Sequence, residues 1–251
     1  MLCKDDAPNF EQDGRWCLLL VSIRKDSFLK NSKLPLHVFA AILFFHHTEI
    51  LQKYVAELLN VSQQTLVDWS NLIRERCSLM IVNAEKLGGP NVRVQVDESV
   101  LSAAKLARNQ HTRPVVERWV FGAYDTVKKI GWIKRVPDRS SETLIAAIQD
   151  FCLPGTIIVS DGWSGYSRVE EYGFSHEVVV HERHFVDPTT GIHTNNVENY
   201  WQRCKRRFKR MYGTSDELLS SHIDEFLWIE RYGRTLIERW NNWFLSFSSN
   251  S

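Results

Sequence analysis

The chain has 251 residues, room for one large domain or a catalytic domain with a small companion, and its 43% hydrophobic and 24% charged composition is that of a globular protein with a sizeable core. A formal net charge of +1 rules out arguing for a polyanionic partner from the overall balance, so any such partner must be sought in how the charges are distributed. Five scattered cysteines (Cys3, Cys17, Cys77, Cys152, Cys204) form no CxxC pair, which excludes a disulfide framework or zinc knuckle and fits a reducing compartment.

The first residues, MLCKDDAPNFEQDGRW, are polar and acidic and do not read as a secretory signal. Asn60-Val61-Ser62 is then a chance sequon. The longest apolar stretch, Leu36 to Phe45, is about half a membrane span, so no membrane association is expected. Cys17 to Ile23 could be a strand. From Pro35 the pattern is helical. Helices are expected over Leu36–Thr48 and Ile50–Leu59, with a break at Asn60-Val61. A third starts from Ser62 as N-cap and runs to about Cys77. The pair around LLNVSQQTL has the look of a helix-turn-helix. Gln63, Gln64 and Thr65 at the start of its second helix could hydrogen-bond base edges. An ordinary three-helix packing module explains the same pattern.

Residues 86–91, KLGGPN, read as a linker. Beyond it the period changes to two: Val92–Asp97 alternates strictly, with Val92, Val94 and Val96 on one face. Strands follow at Arg118–Tyr124 and Lys129–Val136. A helix spans Ser141–Phe151 with a cap at Ser140 or Ser141, then a buried strand Thr156–Ser160, a short helix or loop at Trp163–Tyr172, and a strand Glu177–His181. Helices Thr194–Met211 and Asp216–Tyr232 close the pattern. Three strands in succession followed by α/β alternation is the layout of a ribonuclease-H-like fold. The expected organisation is an N-terminal segment 1–34, an all-α module 35–85, an α/β catalytic domain 91–235 with a mixed sheet flanked by helices, and a tail 236–251.

The acids fall where such a sheet would concentrate function: Asp97 and Asp161 at strand ends, Glu198 in the first turns of the helix after the last strand. Three carboxylates gathered there repel one another unless cations intervene, and hard oxygen donors suit two Mg²⁺ or Mn²⁺ ions. Glu98 and Asp125 are competing acids, and an Asp at a strand end is often only a turn former. From Trp201 to Tyr212 the helix carries Arg203, Lys205, Arg206, Arg207, Lys209 and Arg210 and no acid, a stripe that could track a DNA backbone or simply be a solvated face. His176, His181, His184 and His193 lack a cysteine partner at zinc-ligand spacing and read as structural. His193 could orient a phosphate or carboxylate. Trp163, Tyr166 and Trp201 read as packing.

The stretches VQVDES, WVFGAYD, IIVSDGWSGY, HERHFVDPTTGIHTNNVENYWQRCKRRFK and DEFLWIERYG, spread over about residues 91–232, resemble the DDE transposases of certain bacterial insertion sequences and their eukaryotic Merlin-type relatives. The resemblance implies a catalytic and metal-binding triad at Asp97, Asp161 and Glu198, with separations of 64 and 37 positions, and a basic residue two turns beyond the Glu, here Lys205. Asn195, one turn earlier, is the rival third member. SKLPLHVFAAILFF and LLNVSQQTLVDW resemble the segment preceding the catalytic domain, where relatives recognise element ends. The cysteine ribbon that often precedes it is reduced to Cys3 and Cys17. The implied activity is cleavage and joining of DNA strands. Its partners are terminal inverted repeats and target DNA, with a homo-oligomer assembled on paired ends, no small-molecule cofactor, and a nuclear location in a eukaryote or a cytoplasmic one otherwise. Two alternatives stand beside it: a domesticated DNA-binding protein without strand transfer, and a ribonuclease-H-like nuclease.

Overall fold

Alternating valines build the central strand of a five-stranded mixed sheet. The strands are β1 (Arg93–Ala103), β2 (Glu117–Asp125), β3 (Ile130–Arg135), β4 (Ile157–Asp161) and β5 (Ser175–Val179), in the order β3-β2-β1-β4-β5. β1–β2 and β2–β3 pair antiparallel; β1–β4 and β4–β5 pair parallel. The computed structural model describes residues 24, 28–48, 50–103, 117–179, 194–211 and 213–245. The strand expected at Cys17–Ile23 lies outside them. By compactness the chain divides into two units, residues 1–41 and 42–251. In the first, Phe28 and Phe39 meet edge to face at 5.4 Å.

Before the sheet come α1 (Leu36–His47), α2 (Gln52–Leu59) and α3 (Gln63–Val82). Asn60 ends α2 in the left-handed region at φ 49°, and the Ser62 hydroxyl accepts the Thr65 amide at 3.0 Å, so break and cap fall where the sequence puts them. α3 runs past Cys77 to Val82 because Leu66, Ser70, Ile73, Cys77 and Ile81 keep one buried stripe. That stripe packs on α6 (Asp216–Tyr232), so α2 and α3 belong to the same unit as the sheet.

Residues alternate between two covered faces. On one, α4 (Ser141–Phe151), capped by Ser140, stacks Phe151 on Phe121 and Trp132. The other is covered by α5 (Asn195–Arg210) and α6. A mixed sheet in this order, with helices on both faces, is the ribonuclease-H-like arrangement expected from the element order.

Several expectations change. β1 extends to Ala103, because β2 continues to pair with it beyond Asp97 (Asp97↔Gly122, Glu98↔Phe121). β5 starts two residues earlier than expected, at Ser175. The KLGGPN stretch is stitched into the core: Leu87 is fully buried and bridges Cys152, Gly88 donates to Asp125 and Gly89 to the Thr156 hydroxyl. At φ +73° and pressed against the Thr156 side chain, position 88 admits only glycine. Residues 236–245 form α7 (Leu236–Leu245), anchored by the fully buried Trp243. Cys77, Cys152 and Cys204 are separate buried thiols, and burial pushes the latter two up to about 12. No helix among the described residues is long and apolar enough to cross a membrane.

α5 approaches the sheet at two glycines. A Cβ on Gly122 would meet the Trp201 ring at 2.3 Å, and one on Gly131 the Tyr200 ring at 2.5 Å. Gly122→Ala should therefore lower stability by about 1–3 kcal/mol through overpacking. Urea unfolding checks this, and an unchanged midpoint would show that Trp201 does not seat on the strand.

Candidate active site

Parallel pairing decides where the two aspartates stand. β1 and β4 pair as Arg93↔Ile157, Val94↔Ile158 and Gln95↔Val159, and the same offset of 64 separates Asp97 from Asp161. Two residues beyond the last paired position, the aspartates therefore occupy matching register positions on neighbouring strands, on one face. Asp97 does not end its strand, as the sequence suggested, but lies where the β1–β4 ladder stops and β1 goes on with β2 alone. Asp161 is the last residue of β4, and its Oδ1 accepts the Trp163 amide at 3.1 Å.

The third acid arrives on α5. Gln95 shares the face of Asp97, and its buried Oε1 accepts the amides of Asn196 and Val197, each at 3.1 Å. A strand side chain thus caps the helix, satisfying amides at α5's N-terminal end that have no intrahelical partner. Glu198 follows within the first turn, exposed, with its Oε1 accepting the hydroxyl of buried Thr194 at 3.0 Å. The positive end of the helix favours a carboxylate there. Asn195 opens the same helix and is partly exposed.

These groups act on one another through charge. Asp97 is pushed up to about 7, first by burial, then by the neighbouring charges of Glu98, Asp161 and Glu198. Among the described residues, no three His, Cys, Asp or Glu side chains form a ready-made metal cluster. The carboxylates sense each other without closing on a common point.

The competing acids have other partners. Asp125, fully buried, accepts the amides of Gly88, Val127 and Lys128 and is the turn former of the β2–β3 connection. Glu98 points to the opposite face, where Arg139 and Tyr166 hold it. Tyr166, expected only to pack, also donates a hydrogen bond. His176 shares a hydrogen bond with the Ser160 hydroxyl at 2.9 Å, and burial lowers its pKa. His181, His184 and His193 lie outside the described residues.

The basic stripe divides by helix face. Arg203 pairs with Glu230 at 2.9 Å and Arg207 with the buried Glu225 at 2.7 Å, both acids on α6. Arg207, grouped by sequence with the DNA-contacting residues, is turned into the fold. Its signal was invisible along the chain because the compensating acid lies 18 positions on. Lys205, Arg206, Lys209 and Arg210 are exposed, and Lys205 shares the outer face with Glu198. At the start of α3, Gln63 and Gln64 are exposed; Gln64 donates to Asp68, and the Thr65 hydroxyl joins that of Ser62 in the cap. A cavity of about 330 Å³ sits by the β2–β3 turn, near the start of β1, with Arg203 and Arg234 on its wall already bonded to Glu230 and main-chain carbonyls.

The Asp97 carboxyl yields a pH signature. The folded state keeps this proton to about pH 7, whereas the unfolded chain loses it near the ordinary aspartate value of 3.8. Between roughly pH 4 and 7 the unfolded state therefore releases its proton first, and stability falls as pH rises. In EDTA, the stability of the wild type relative to Asp97→Asn should decline across that window and level off above it. Urea unfolding at a series of pH values measures it; a constant difference would contradict the burial and crowding at Asp97.

Residues 86–230, more than half of the chain, match the model of the ISXO2-like transposase domain. An uncharacterized transposase-like protein of Haemophilus influenzae is 28% identical over 93 residues, covering 37% of this chain and 74% of its own. Among solved structures, the chain is similar to the HTLV-2 integrase catalytic core domain in complex with magnesium, at 17% identity and TM-score 0.37, covering 58% of this chain and 87% of that one. It is also similar to the BIV integrase catalytic core, at 11% identity and TM-score 0.36, covering 62% and 96%. These overlaps are loose. The family match, spanning every strand and all but the last residues of α6, is the firm one: the chain belongs to the ISXO2-like transposase domain family.

Proposed function

We propose that the chain is a DNA transposase in which Asp97, Asp161 and Glu198 hold two divalent cations, Mg²⁺ or Mn²⁺, to cut phosphodiester bonds at element ends and join the freed 3′-hydroxyls to target DNA. The observation that carries the reading is that Asp97 and Asp161 hold matching register positions on neighbouring strands, and that Asp97, raised first by burial, also feels the charges of Asp161 and Glu198. The donor set fits: all are hard carboxylate oxygens, and crowded, uncompensated negative charge is what a cation would neutralise. When bound, such ions supply an activated hydroxyl nucleophile and a stabilised leaving oxygen.

The chain's own residues prepare this place. Gln95 fixes α5 against the strand of Asp97, and the Thr194 hydroxyl orients Glu198. Of the two candidates on α5, Glu198 is the better third ligand, because a carboxylate offers charged oxygen donors to a hard cation where the Asn195 amide offers a single neutral one. Lys205, Arg206, Lys209 and Arg210 continue the outer face of the same helix and are placed to follow a phosphate backbone leading to the carboxylates. The α2–α3 pair, with Gln63 and Gln64 exposed at the start of α3, is the proposed reader of the terminal inverted repeats. Action on paired ends calls for a homo-oligomer.

Asp161→Ala and Glu198→Ala should each reduce Mg²⁺-dependent cleavage and joining of the inverted repeats flanking the coding region at least about 10³-fold while leaving binding to those repeats intact. DNA that is bound but never cut by the wild type in Mg²⁺ or Mn²⁺ would return the domesticated DNA-binding protein instead. Combining Lys205→Ala, Arg206→Ala and Lys209→Ala should flatten the dependence of log affinity on log salt by about 0.9 per lost phosphate contact, read by fluorescence anisotropy. An unchanged slope would make this stripe a solvated face.

A further inference from the structure

The ladder between β1 and β4 ends at Gln95 and Val159, before either aspartate, so no main-chain hydrogen bond between these strands fixes Asp97 against Asp161. A side-chain assembly on the opposite face spans that gap. Glu98 follows Asp97 and points away from α5, its side chain only 2% exposed. Its Oε2 accepts Nε and Nη2 of Arg139 at 3.0 and 2.8 Å, and its Oε1 accepts the Tyr166 hydroxyl. Tyr166 is fully buried in the short helical turn Ser164–Tyr166 that follows Asp161. The Arg139 guanidinium also lies 4.8 Å from the Trp119 ring and 4.4 Å from the Trp163 ring. Trp119 is on β2, opposite Val100 of β1, and the Trp163 amide is the one bonded to Asp161.

Both segments that present an aspartate are thus tied to one buried carboxylate: β1 through Glu98 itself, and the stretch after β4 through Tyr166 and, by way of Arg139, Trp163. From this geometry we infer that Arg139 and Tyr166, joined through Glu98, are positioning residues that set the spacing between Asp97 and Asp161. The assembly is well suited to the task. The Arg–carboxylate pair is charge-assisted, with two N–H groups converging on one oxygen, the Trp119 and Trp163 rings flank the guanidinium, and the tyrosine is immobilised by packing. None of the three reaches the reacting face, so they act only through the aspartates, as the outer partners of metal-binding carboxylates do.

The inference rests on Asp97 and Asp161 being divalent-ion ligands, so Asp97→Asn is measured beside the clamp variants. Mn²⁺ binding to the full chain is followed by loss of the free-ion electron paramagnetic resonance signal, with thermal melting and metal-free DNA binding as controls. Tyr166→Phe deletes only a hydroxyl, and Arg139→Met tests the second arm at a partly exposed site should the first variant fold poorly. Each should raise the Mn²⁺ dissociation constant about tenfold. Melting should fall modestly, because each variant leaves the buried Glu98 carboxylate short of a partner, but the variants should stay folded and bind DNA as the wild type does, and strand cleavage should recover at saturating Mn²⁺, which Asp97→Asn cannot do. If Asp97→Asn loses Mn²⁺ while both clamp variants bind it as the wild type does, the clamp is overturned and the metal reading survives. If Asp97→Asn binds Mn²⁺ as tightly as the wild type, both fall.

Discussion

A single buried amide carries the geometry on which this site depends. The Gln95 side chain, near the start of β1, accepts two main-chain amides at the head of α5. Burying an uncharged amide is costly unless its polar atoms are partnered, and the first amides of a helix are equally costly unless capped. Each group solves the other's problem. Because Gln95 and Asp97 share a face, the strand that carries one acid also sets where the helix carrying another begins. The Trp201 and Tyr200 rings, seated over Gly122 and Gly131, then hold the helix flat against the sheet.

The far side of α5 is governed by charge. Glu225 is buried at the junction of Arg207, His46 and His222; burial opposes its ionisation, but these neighbours outweigh burial and hold it well below the usual carboxylate range. Such a cluster is not evidence of great stability, since ions pay to leave water, but losing one partner would strand a buried charge. What it contributes is orientation. With Arg207 and Arg203 drawn toward α6, the helix can rotate in only one way, and the remaining basic residues form the outward stripe that runs on from Glu198.

Much of this was legible in the sequence because it follows local rules. The alternation in Val92–Asp97, the caps at Ser62 and Ser140, and the order of elements each reflect a period or a hydrogen bond within a few residues. The 64 positions between the aspartates equal the β1–β4 register, but only the strand pairing gives that number its meaning. What escaped depends on partners far along the chain. KLGGPN has the composition of a linker, yet its amides are claimed by Asp125 and Thr156. Arg207 looked like part of an uncompensated run until α6 supplied Glu225. Residues 236–245 end the pattern weakly, and only the burial of Trp243 makes a helix of them. Glu98 looked like a rival to Asp97, and strand parity alone could have sent it to the other face.

If Asp97, Asp161 and Glu198 converge on shared divalent cations, as proposed, anomalous scattering from a crystal grown with Mn²⁺ will locate those ions. Anomalous peaks are expected between Asp97 and Asp161 with Glu198 at coordinating distance, and their loss in Asp161→Ala. Peaks elsewhere, or a Glu198 that stays turned to Thr194 while the aspartates bind nothing, would contradict that convergence.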